Sequence, residues 1–559
     1  MAKLAKVVDV LTEKCENCHA CITACPSKMC NDGSGDHVMI NHDMCIGCGQ
    51  CIKACTWKAR VIVDDLSIFL ADLQKGVKMV AIVAPAIAAS FHNRYLNFNG
   101  WLKSIGVEAV FDVSFGAELT IKSYLDHVEK NAPKCVISQP CPAIVNYIEL
   151  YRPELLGYLA PADSPMLHTV KMIKEFYPKY KNHKVVVISP CIAKKREFEA
   201  TGLGDYNVTM SKLDDHLKAH RIELERYPVQ DYDNPPAERA VLFSTPGGLL
   251  ETTARWNHDL RDKIRKIEGP HAIYHYLDHL GHDIELGKAP LVVDCLNCEL
   301  GCNGGTGTKC YDMSMDTLES IIAQRKEEMK TRYLDTKMHL TSEESDNVIQ
   351  NNIINVIENH WKPGLYDRKY VNRSNTGVNM SPSQTDLNDI YHSMLKCKKS
   401  DHKNCSACGY GNCKDMAIAI YNGLNKPQNC HYYQHNLIEG QMAARKSAID
   451  KFQKVVLEQF NSRDSLSRFA PILKSIEQIS MQTTILAMNA SIEATHAGEA
   501  GAGFSVVAKS VGELAEKTKN ETAKMHSSLS ELKTLLDNAI LEFEENINGQ
   551  DDRETVGHS

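Results

Sequence analysis

Hydrophobic positions along the chain follow two periodic regimes. From Val77 to Arg332, short apolar runs (Met79 to Val83, Cys135 to Ile137, Val185 to Ile188, Leu291 to Val293) alternate with amphipathic stretches. Strands alternating with helices predict an α/β domain with largely parallel sheets. The most apolar run, Val77 to Ala89, is interrupted by Lys78 and Pro85 and predicts a buried strand and loop. Further on, Ser342-Glu-Glu-Ser345 opens a helix carrying Ile349, Ile353 and Val356, which Lys362-Pro363-Gly364 stops. Asn372 to Ser383 is polar and turn-rich, hence a loop. From about Gly440 to Asn548 the pattern becomes heptad-like. Leu466, Phe469, Leu473 and Ile476 mark one arm; Val507, Val511, Leu514, Met525, Leu532, Leu535 and Ala539 mark the other. A Gly-rich reversal, Ala497 to Phe504, separates them. This predicts a long antiparallel coiled-coil hairpin with arms of about 70–85 Å at a rise of 1.5 Å per residue.

Composition adds bounds. At 559 residues the chain exceeds one compact domain, and length alone suggests about three to five. A formal net charge of −7 argues against a nucleic-acid partner held by a global positive field. No run of 18 or more apolar residues exists, and the N-terminus lacks an apolar signal core. The expectation is a cytoplasmic protein with no membrane span. The 21 cysteines cluster at spacings suited to metal rather than to disulfides.

Residues 15 to 55 contain one run twice: Cys15, Cys18, Cys21 and Cys25, then Cys45, Cys48, Cys51 and Cys55. Each is C-x2-C-x2-C-x3-C, the bacterial ferredoxin pattern, in which the fourth cysteine of each run crosses to the other 4Fe–4S cluster. Cys15, Cys18, Cys21 and Cys55 are therefore assigned to one cluster, and Cys45, Cys48, Cys51 and Cys25 to the second. A pair of zinc knuckles is the plainer alternative. Thr56 stands where the pattern often has proline, which affects a turn and not ligation. Two clusters in one small domain form an electron relay.

Three middle strands each end in a cysteine motif: Ser138-Gln139-Pro140-Cys141-Pro142, Ser189-Pro190-Cys191-Ile192-Ala193-Lys194, and Cys295-Leu-Asn-Cys298 through Cys302 to Gly305. Ligands gathered at strand ends suit an α/β cofactor site. These motifs, in this order, resemble the three active-site motifs of the iron-only (FeFe) hydrogenase large subunit. Ala84-Pro85-Ala86, Phe111-Asp112 with Leu119-Thr120-Ile121, and Pro246-Gly247-Gly248 with Glu251 resemble that family's intervening segments. The resemblance implies that Cys141, Cys191, Cys298 and Cys302 hold a 4Fe–4S cluster. It implies that Cys302 also bridges to a diiron subcluster carrying carbonyl and cyanide, with Lys194 hydrogen-bonding a cyanide and Pro85, Ala86 and Pro190 lining the cofactor. A cubane without the diiron unit, or an empty inherited fold, stays open beside it.

The departures from that family concern proton supply. Its catalytic members carry a proton-shuttling cysteine before the first ligand; here that residue is Pro140. The acidic residues expected after Leu119-Thr120-Ile121 are Ser123 and Tyr124, and two expected methionines are Ser189 and Leu296. Proton transfer needs a positioned group at each step, so the losses predict slow hydrogen oxidation or proton reduction, as in a sensory type. Cys295 offers an alternative ligand pair with Cys298, and Cys30, Cys135, Cys310 and Cys397 have no assigned partner.

Cys405, Cys408, Cys413 and Cys430 form a C-x2-C-x4-C-x16-C set, similar to a small 4Fe–4S domain of anaerobic redox proteins, with Gly409 and Gly411 allowing close approach. Four thiolates also suit zinc. The tip from Gln482 to Ala508 is very similar to the cytoplasmic tip of methyl-accepting chemotaxis receptors. Asn489, Ile492, Glu493, Ala494, Gly498, Glu499, Gly503, Phe504, Val506, Val507 and Ala508 match, while two usual arginines are His496 and Ala502. That likeness implies a homodimer through the hairpin and a coupling-protein or kinase partner; a plain dimerisation coil is the alternative.

The expected organisation is multidomain α+β and α/β: a ferredoxin-like two-cluster domain (1–62), a hydrogenase-like α/β domain (75–332), a helical linker (333–395), a small 4Fe–4S domain (396–435), the signalling hairpin (436–548) and a tail (549–559). The expected function is a redox or hydrogen sensor of low turnover, served by a redox partner protein. It would hold four 4Fe–4S clusters, with or without a diiron unit. The rival is a slow hydrogenase or electron-transfer oxidoreductase whose hairpin only dimerises it.

Overall fold

The computed structural model describes residues 3–334, 342–376, 380–460 and 468–554. It divides into two compact units, 1–436 and 437–559. Among the described residues no helix is long and apolar enough to cross a membrane.

The first unit opens with a small antiparallel module. Strand β1 (Val8–Val10) pairs with β4 (Arg60–Ile62), and β2 (Asn31–Asp32) pairs with β3 (Met39–Ile40). Two one-turn helices, Ala20–Thr23 and Gln50–Ala54, carry part of the two cysteine runs. Next come two parallel sheets. The first runs β6 (Ala109–Asp112), β5 (Met79–Val83), β8 (Lys184–Ser189) and β9 (Tyr206–Thr209); the second runs β10 (Ile264–Glu268), β11 (Val292–Leu296) and β7 (Val136–Ile137). Strand β5 is buried at every residue, as a central parallel strand covered on both faces must be. The apolar runs read from the sequence coincide with β5, β7, β8 and β11.

The stretch expected as a linker belongs to this core. Helix Ser342–Glu358 contributes Ile353 and Ile357, and Tyr366 follows, to the cluster built on β5, β6 and β8. The Tyr366 ring stacks on buried His168 with centroids 4.5 Å apart. Apolar residues at helical spacing need a surface to cover. Here the surface is the α/β domain itself, so 342–370 is packed structure and not a tether. The turn-rich stretch from Asn372 to Ser383 is non-helical where described; 377–379 lie outside the described residues.

A helix from His431 to Phe460 begins directly after Cys430, nine residues before the arm expected from Gly440. No Gly or Pro separates the two points, so nothing delays helix entry. In the second unit, helix Phe469–His496 reverses through the 3₁₀ turn Gly498–Gly501 into helix Ala502–Glu554. Pro471 sits in the first turn, where its missing N–H costs nothing. Leu466 lies outside the described residues. Apart from Leu473, the seam between the arms is made of small side chains. Leu473, Ser480, Ala487 and Ala494 are buried at seven-residue spacing, and across from them Ala508, Ala515 and Thr522 repeat likewise. Ser480 Oγ donates to the Ala515 carbonyl. Several of the large residues that mark the arms face outward: Val507, Leu514, Met525 and Leu535 are each more than half exposed.

Candidate functional site

Strand ends from both sheets converge on one pocket, with a cavity volume of about 70 Å³. Cys141 follows β7, Cys191 follows β8, and Cys298 and Cys302 follow β11; all four face this pocket. Lys194, Pro85, Ala86, Pro190 and Pro140 complete much of its wall, which is overwhelmingly apolar. Every middle-domain site residue expected from the sequence is thus brought together. Burial pushes the Cys191 thiol up to about 12 and raises those of Cys298 and Cys302, and neighbouring thiol charge adds to the effect. Thiols that resist ionising beside one another are a donor set that cationic iron stabilises, because metal binding draws thiolate from thiol. Among the described residues no group of three or more His, Cys, Asp or Glu could hold a single metal ion. Wide-set thiols suit a multi-iron cluster better than tetrahedral zinc, whose sulfurs all sit about 2.3 Å from one atom.

Several buried charges that sequence patterning does not reveal hold this pocket in shape. Lys194 Nζ donates to Glu197 Oε2 at 2.6 Å, one turn along its helix, and keeps two further N–H donors for the pocket it lines. Glu197 also accepts from Ser164 Oγ at 3.0 Å and from Arg368. Arg325, 2% exposed, donates to Asp112 Oδ2 at 2.6 Å and to the Pro85 carbonyl at 3.2 Å. It therefore fixes the Ala84-Pro85-Ala86 segment against the end of β6. Glu118, fully buried, accepts from Arg255 and from the Glu238 and Ala240 amides at 3.0 and 3.1 Å. That network anchors the turn Arg239–Ser244, whose Phe243 and Ser244 line the pocket. Each charge is paired, as burial requires.

The proton-supply positions are occupied by groups that do not give up or take a proton near neutral pH. Pro140 presents neither thiol nor N–H. Tyr124 donates to Gln139 Oε1, and Gln139 Nε2 donates to the Asp163 carbonyl at 2.7 Å. Ser123 Oγ and Thr120 Oγ1 lie 2.9 and 3.1 Å from the two ring nitrogens of His168. Burial pulls His168 down to about 3, so it stays neutral. Ser189 is spent locally, accepting from Cys191 N at 3.0 Å. Cys295 Sγ is hydrogen-bonded to the Ser138 carbonyl at 3.5 Å and does not line the pocket. Its burial within β11 accounts for it without ligation.

The N-terminal module adjoins this pocket. Cys25, Cys45, Cys48 and Cys51 line one small cavity, the crossed grouping expected of the doubled motif. Cys30 joins them, its Sγ 3.7 Å from that of Cys25. Arg60, 3% exposed, donates to Cys21 Sγ at 3.2 Å and to the Val38 carbonyl at 2.8 Å. Cys15 Sγ accepts from Val38 N at 3.5 Å, and Cys55 Sγ accepts from Ala59 N at 3.3 Å. Burial raises the Cys21 thiol; the Arg60 cation opposes that rise, whereas Cys15 and Cys18 add to it. Between module and pocket stands buried Tyr274, pushed up by burial and then by the thiols of Cys48, Cys141 and Cys298. Lys53 Nζ reaches the Gly304 carbonyl at 2.9 Å. A Cβ on Gly49 (φ +77°) would come within 2.7 Å of Thr306, so only glycine permits this approach.

In the last cysteine set, Cys408, Cys413 and Cys430 are buried and Cys405 is exposed. Burial raises the Cys408 thiol, and Cys430 and Cys405 add to the rise. Cys413 N donates to Asn404 Oδ1 at 2.9 Å as its helix begins. Cys135 and Cys310 are buried and Cys397 is exposed.

Comparison with known proteins matches these regions separately. Residues 8–56 match a 4Fe-4S dicluster domain, 77–306 the C-terminal domain of the iron only hydrogenase large subunit, 401–432 an Fe-S cluster family, and 439–555 the methyl-accepting chemotaxis protein signalling domain. The NADP-reducing hydrogenase subunit HndD of Solidesulfovibrio fructosivorans is 24% identical over 55% of this chain and 65% of its own length. Iron hydrogenase 1 of Clostridium pasteurianum is 29% identical over 29% of this chain and 31% of its own. The methyl-accepting chemotaxis protein NahY of Pseudomonas putida is 26% identical over 26% of this chain and 29% of its own. The chain thus spans under two thirds of each of these relatives. The chain joins iron–sulfur domains, a hydrogenase-like α/β domain and a helical receptor-type signalling domain.

Proposed function

We propose that this fusion of a hydrogenase-like domain with a receptor-type signalling domain is a sensor of hydrogen or of cellular redox state, with low turnover. The single observation that carries this reading is the composition of the pocket. Its cluster-holding side chains, Cys141, Cys191, Cys298, Cys302 and Lys194, are all present and convergent, whereas the position beside the first ligand is Pro140. Such a pocket binds and exchanges electrons without rapid proton delivery. Cys15, Cys18, Cys21 and Cys55 would hold one cubane, Cys25, Cys45, Cys48 and Cys51 a second, the middle four a third, and Cys405, Cys408, Cys413 and Cys430 a fourth. When bound, a cubane stores one electron, and a diiron carbonyl–cyanide unit beside Cys302 would supply hydrogen chemistry. Around it, Lys194 offers its free donors to anionic ligands, Arg325 fixes the Pro85 backbone, and the apolar wall keeps water out.

Output would come from the hairpin as a homodimer contacting a coupling protein or kinase. A change of cluster charge can move it only by favouring one of two conformations. Infrared spectra after anaerobic maturation test the cofactor: bands in the carbonyl and cyanide region are expected, and their absence removes hydrogen from the reading while leaving redox state. Spin labels on both hairpin arms test the output. Identical distance distributions in oxidised and reduced protein would defeat the sensor and favour the slow-enzyme alternative.

A further inference from the structure

Within the first unit the linker cysteines pack against the N-terminal module, on the side that carries the Cys15–Cys21 run. Cys21, Ile22 and Val38 share one buried cluster with Cys408, Tyr410, Met416 and Cys430. His19, set between Cys18 and Cys21, is 5% exposed, and its Nδ1 lies 3.0 Å from the Cys408 carbonyl. Lys28 Nζ donates to the Gly409 carbonyl at 2.9 Å, and Gly33 N donates to the Leu424 carbonyl at 2.8 Å. Asn429, next to Cys430, returns a bond from Nδ2 to the Gly33 carbonyl at 2.9 Å. Gly409 has φ +95°, and a Cβ there would come within 2.9 Å of the Ile22 Cβ. His19 itself holds φ +61°, a left-handed conformation that few non-glycine residues adopt and that histidine and asparagine tolerate best. The backbone is bent to present this ring to Cys408.

We propose that His19 is the bridge through which the Cys15–Cys21–Cys55 site and the Cys405–Cys430 site exchange electrons. The linker site is then the outlet of a line that starts at the middle pocket and passes through the N-terminal module. The inference rests on the reading that both cysteine sets hold cubanes. The middle pocket meets the module on the Cys48 side, through Tyr274 and the Lys53–Gly304 contact, whereas the linker set meets it on the Cys21 side, through His19. The two contacts use different halves of the doubled motif, which makes the module a through-path and not a shared terminus. Each transfer moves one electron: the N-terminal cluster is oxidised by one as the linker cluster is reduced by one. In the sensor the electron derives from hydrogen oxidation or a redox partner protein; in the test it comes from dithionite. His19 is a positioning residue, since its hydrogen bond goes to the backbone of a ligand and not to a cluster.

The test uses the full chain, reconstituted anaerobically with iron and sulfide and reduced with dithionite. Electron paramagnetic resonance of the parent is compared with His19→Leu, which removes the donor, and His19→Asn, which keeps a short donor and tolerates positive φ. The expected result is a relaxation-broadened signal of the Cys15–Cys55 cluster in the parent and in His19→Asn. That signal should narrow in His19→Leu at unchanged iron content, with the potential of the linker cluster displaced. In Cys405→Ala the same signal should narrow while the middle-site signal stays as it was. Full iron content with a Cys15–Cys55 signal and a linker-cluster potential both indifferent to His19→Leu would overturn the bridge and leave the sensor reading standing. A parent that lacks the iron of the linker site overturns the assignment of a cubane to Cys405, Cys408, Cys413 and Cys430, and the bridge with it.

Discussion

Replacing Pro140 with cysteine is the sharpest probe of the middle pocket. Pro140 stands on the pocket wall beside Cys141, facing the same space as Cys302 and Lys194. The substitution puts a titratable thiol there and adds no bulk. Losing the ring costs about 0.4–1 kcal/mol through the unfolded state, too little to disturb a domain of this size. A positioned acid or base contributes about 10²–10⁴-fold to a proton-transfer step, or ~2.7–5.4 kcal/mol. The upper part of that range is out of reach, because the next carriers are also missing. Ser123 and Thr120 face a His168 held neutral by burial, and Tyr124 is bound to Gln139. The expected gain in hydrogen evolution is therefore at the low end, about 10²-fold. The assay is hydrogen release from reduced viologen dye, at diiron occupancy matched by infrared spectra. Pro140→Ser serves as control: it restores the N–H without a suitable acid and should gain nothing. A fully matured Pro140→Cys within about twofold of its parent would refute the view that the missing thiol limits turnover.

Iron and sulfide analysis after anaerobic reconstitution should give about 16 iron atoms per chain, or about 18 with a diiron unit; about eight or fewer would remove at least two of the four assigned ligand sets. Arg60→Gln should lower the potential of the cluster at Cys15, Cys18, Cys21 and Cys55, because the buried guanidinium on Cys21 favours the more negative, reduced state. A charged hydrogen bond worth about 1.5–3 kcal/mol corresponds to a shift of ~60–130 mV for one electron, readable by a redox titration, and no shift would place the charge elsewhere. Deleting residues 440–559 should leave the iron content intact but turn a dimer into a monomer by light scattering; a truncated protein that still dimerises would deny the hairpin that role.

What was legible in the sequence is what is local. The three cysteine motifs could be read because each follows a short apolar run, and parallel strands deliver their C-terminal ends to one place; the choice of Cys141, Cys191, Cys298 and Cys302 within them came from the family resemblance. The charges that brace the pocket were not legible. Arg325 lies in a helix, Met315–Thr331, whose other charges are mostly solvated, and nothing nearby marks it as the residue that is buried. Its partner Asp112 is 213 positions away, and Arg368 reaches Glu197 across 171. Ile349, Ile353 and Val356 were readable as a helical face, but periodicity shows that a face is covered and not by what. Hence a packed part of the core passed for a linker. His19 gave no signal either, because a histidine inside a cysteine run has no period and its contact with Cys408 spans 389 positions.

The hairpin was legible as two arms and a turn, but not in which of its apolar residues meet within one chain. The heptad pattern marks apolar positions without saying which face the partner arm; of those named, Leu473 enters the seam, which otherwise uses Ala487, Ala494, Ala508, Ala515 and Ser480. Small residues let two helices approach closely, and the large ones are then free to face outward. Ile472, Ile479, Leu486, Leu514 and Met525 are each more than half exposed on a single hairpin. Burying one such side chain is worth about 1.5–3 kcal/mol, so a handful covered at once reaches the range of about 4–15 kcal/mol that association costs. A second hairpin offering the same stripe satisfies both copies by symmetry, in a four-helix bundle with close pairs inside each chain and bulky contacts between chains. Such a bundle has two kinds of interface with different packing. In the proposed homodimer the exposed stripe at Ile472, Ile479 and Leu514 would be the surface that a change of cluster charge has to rearrange.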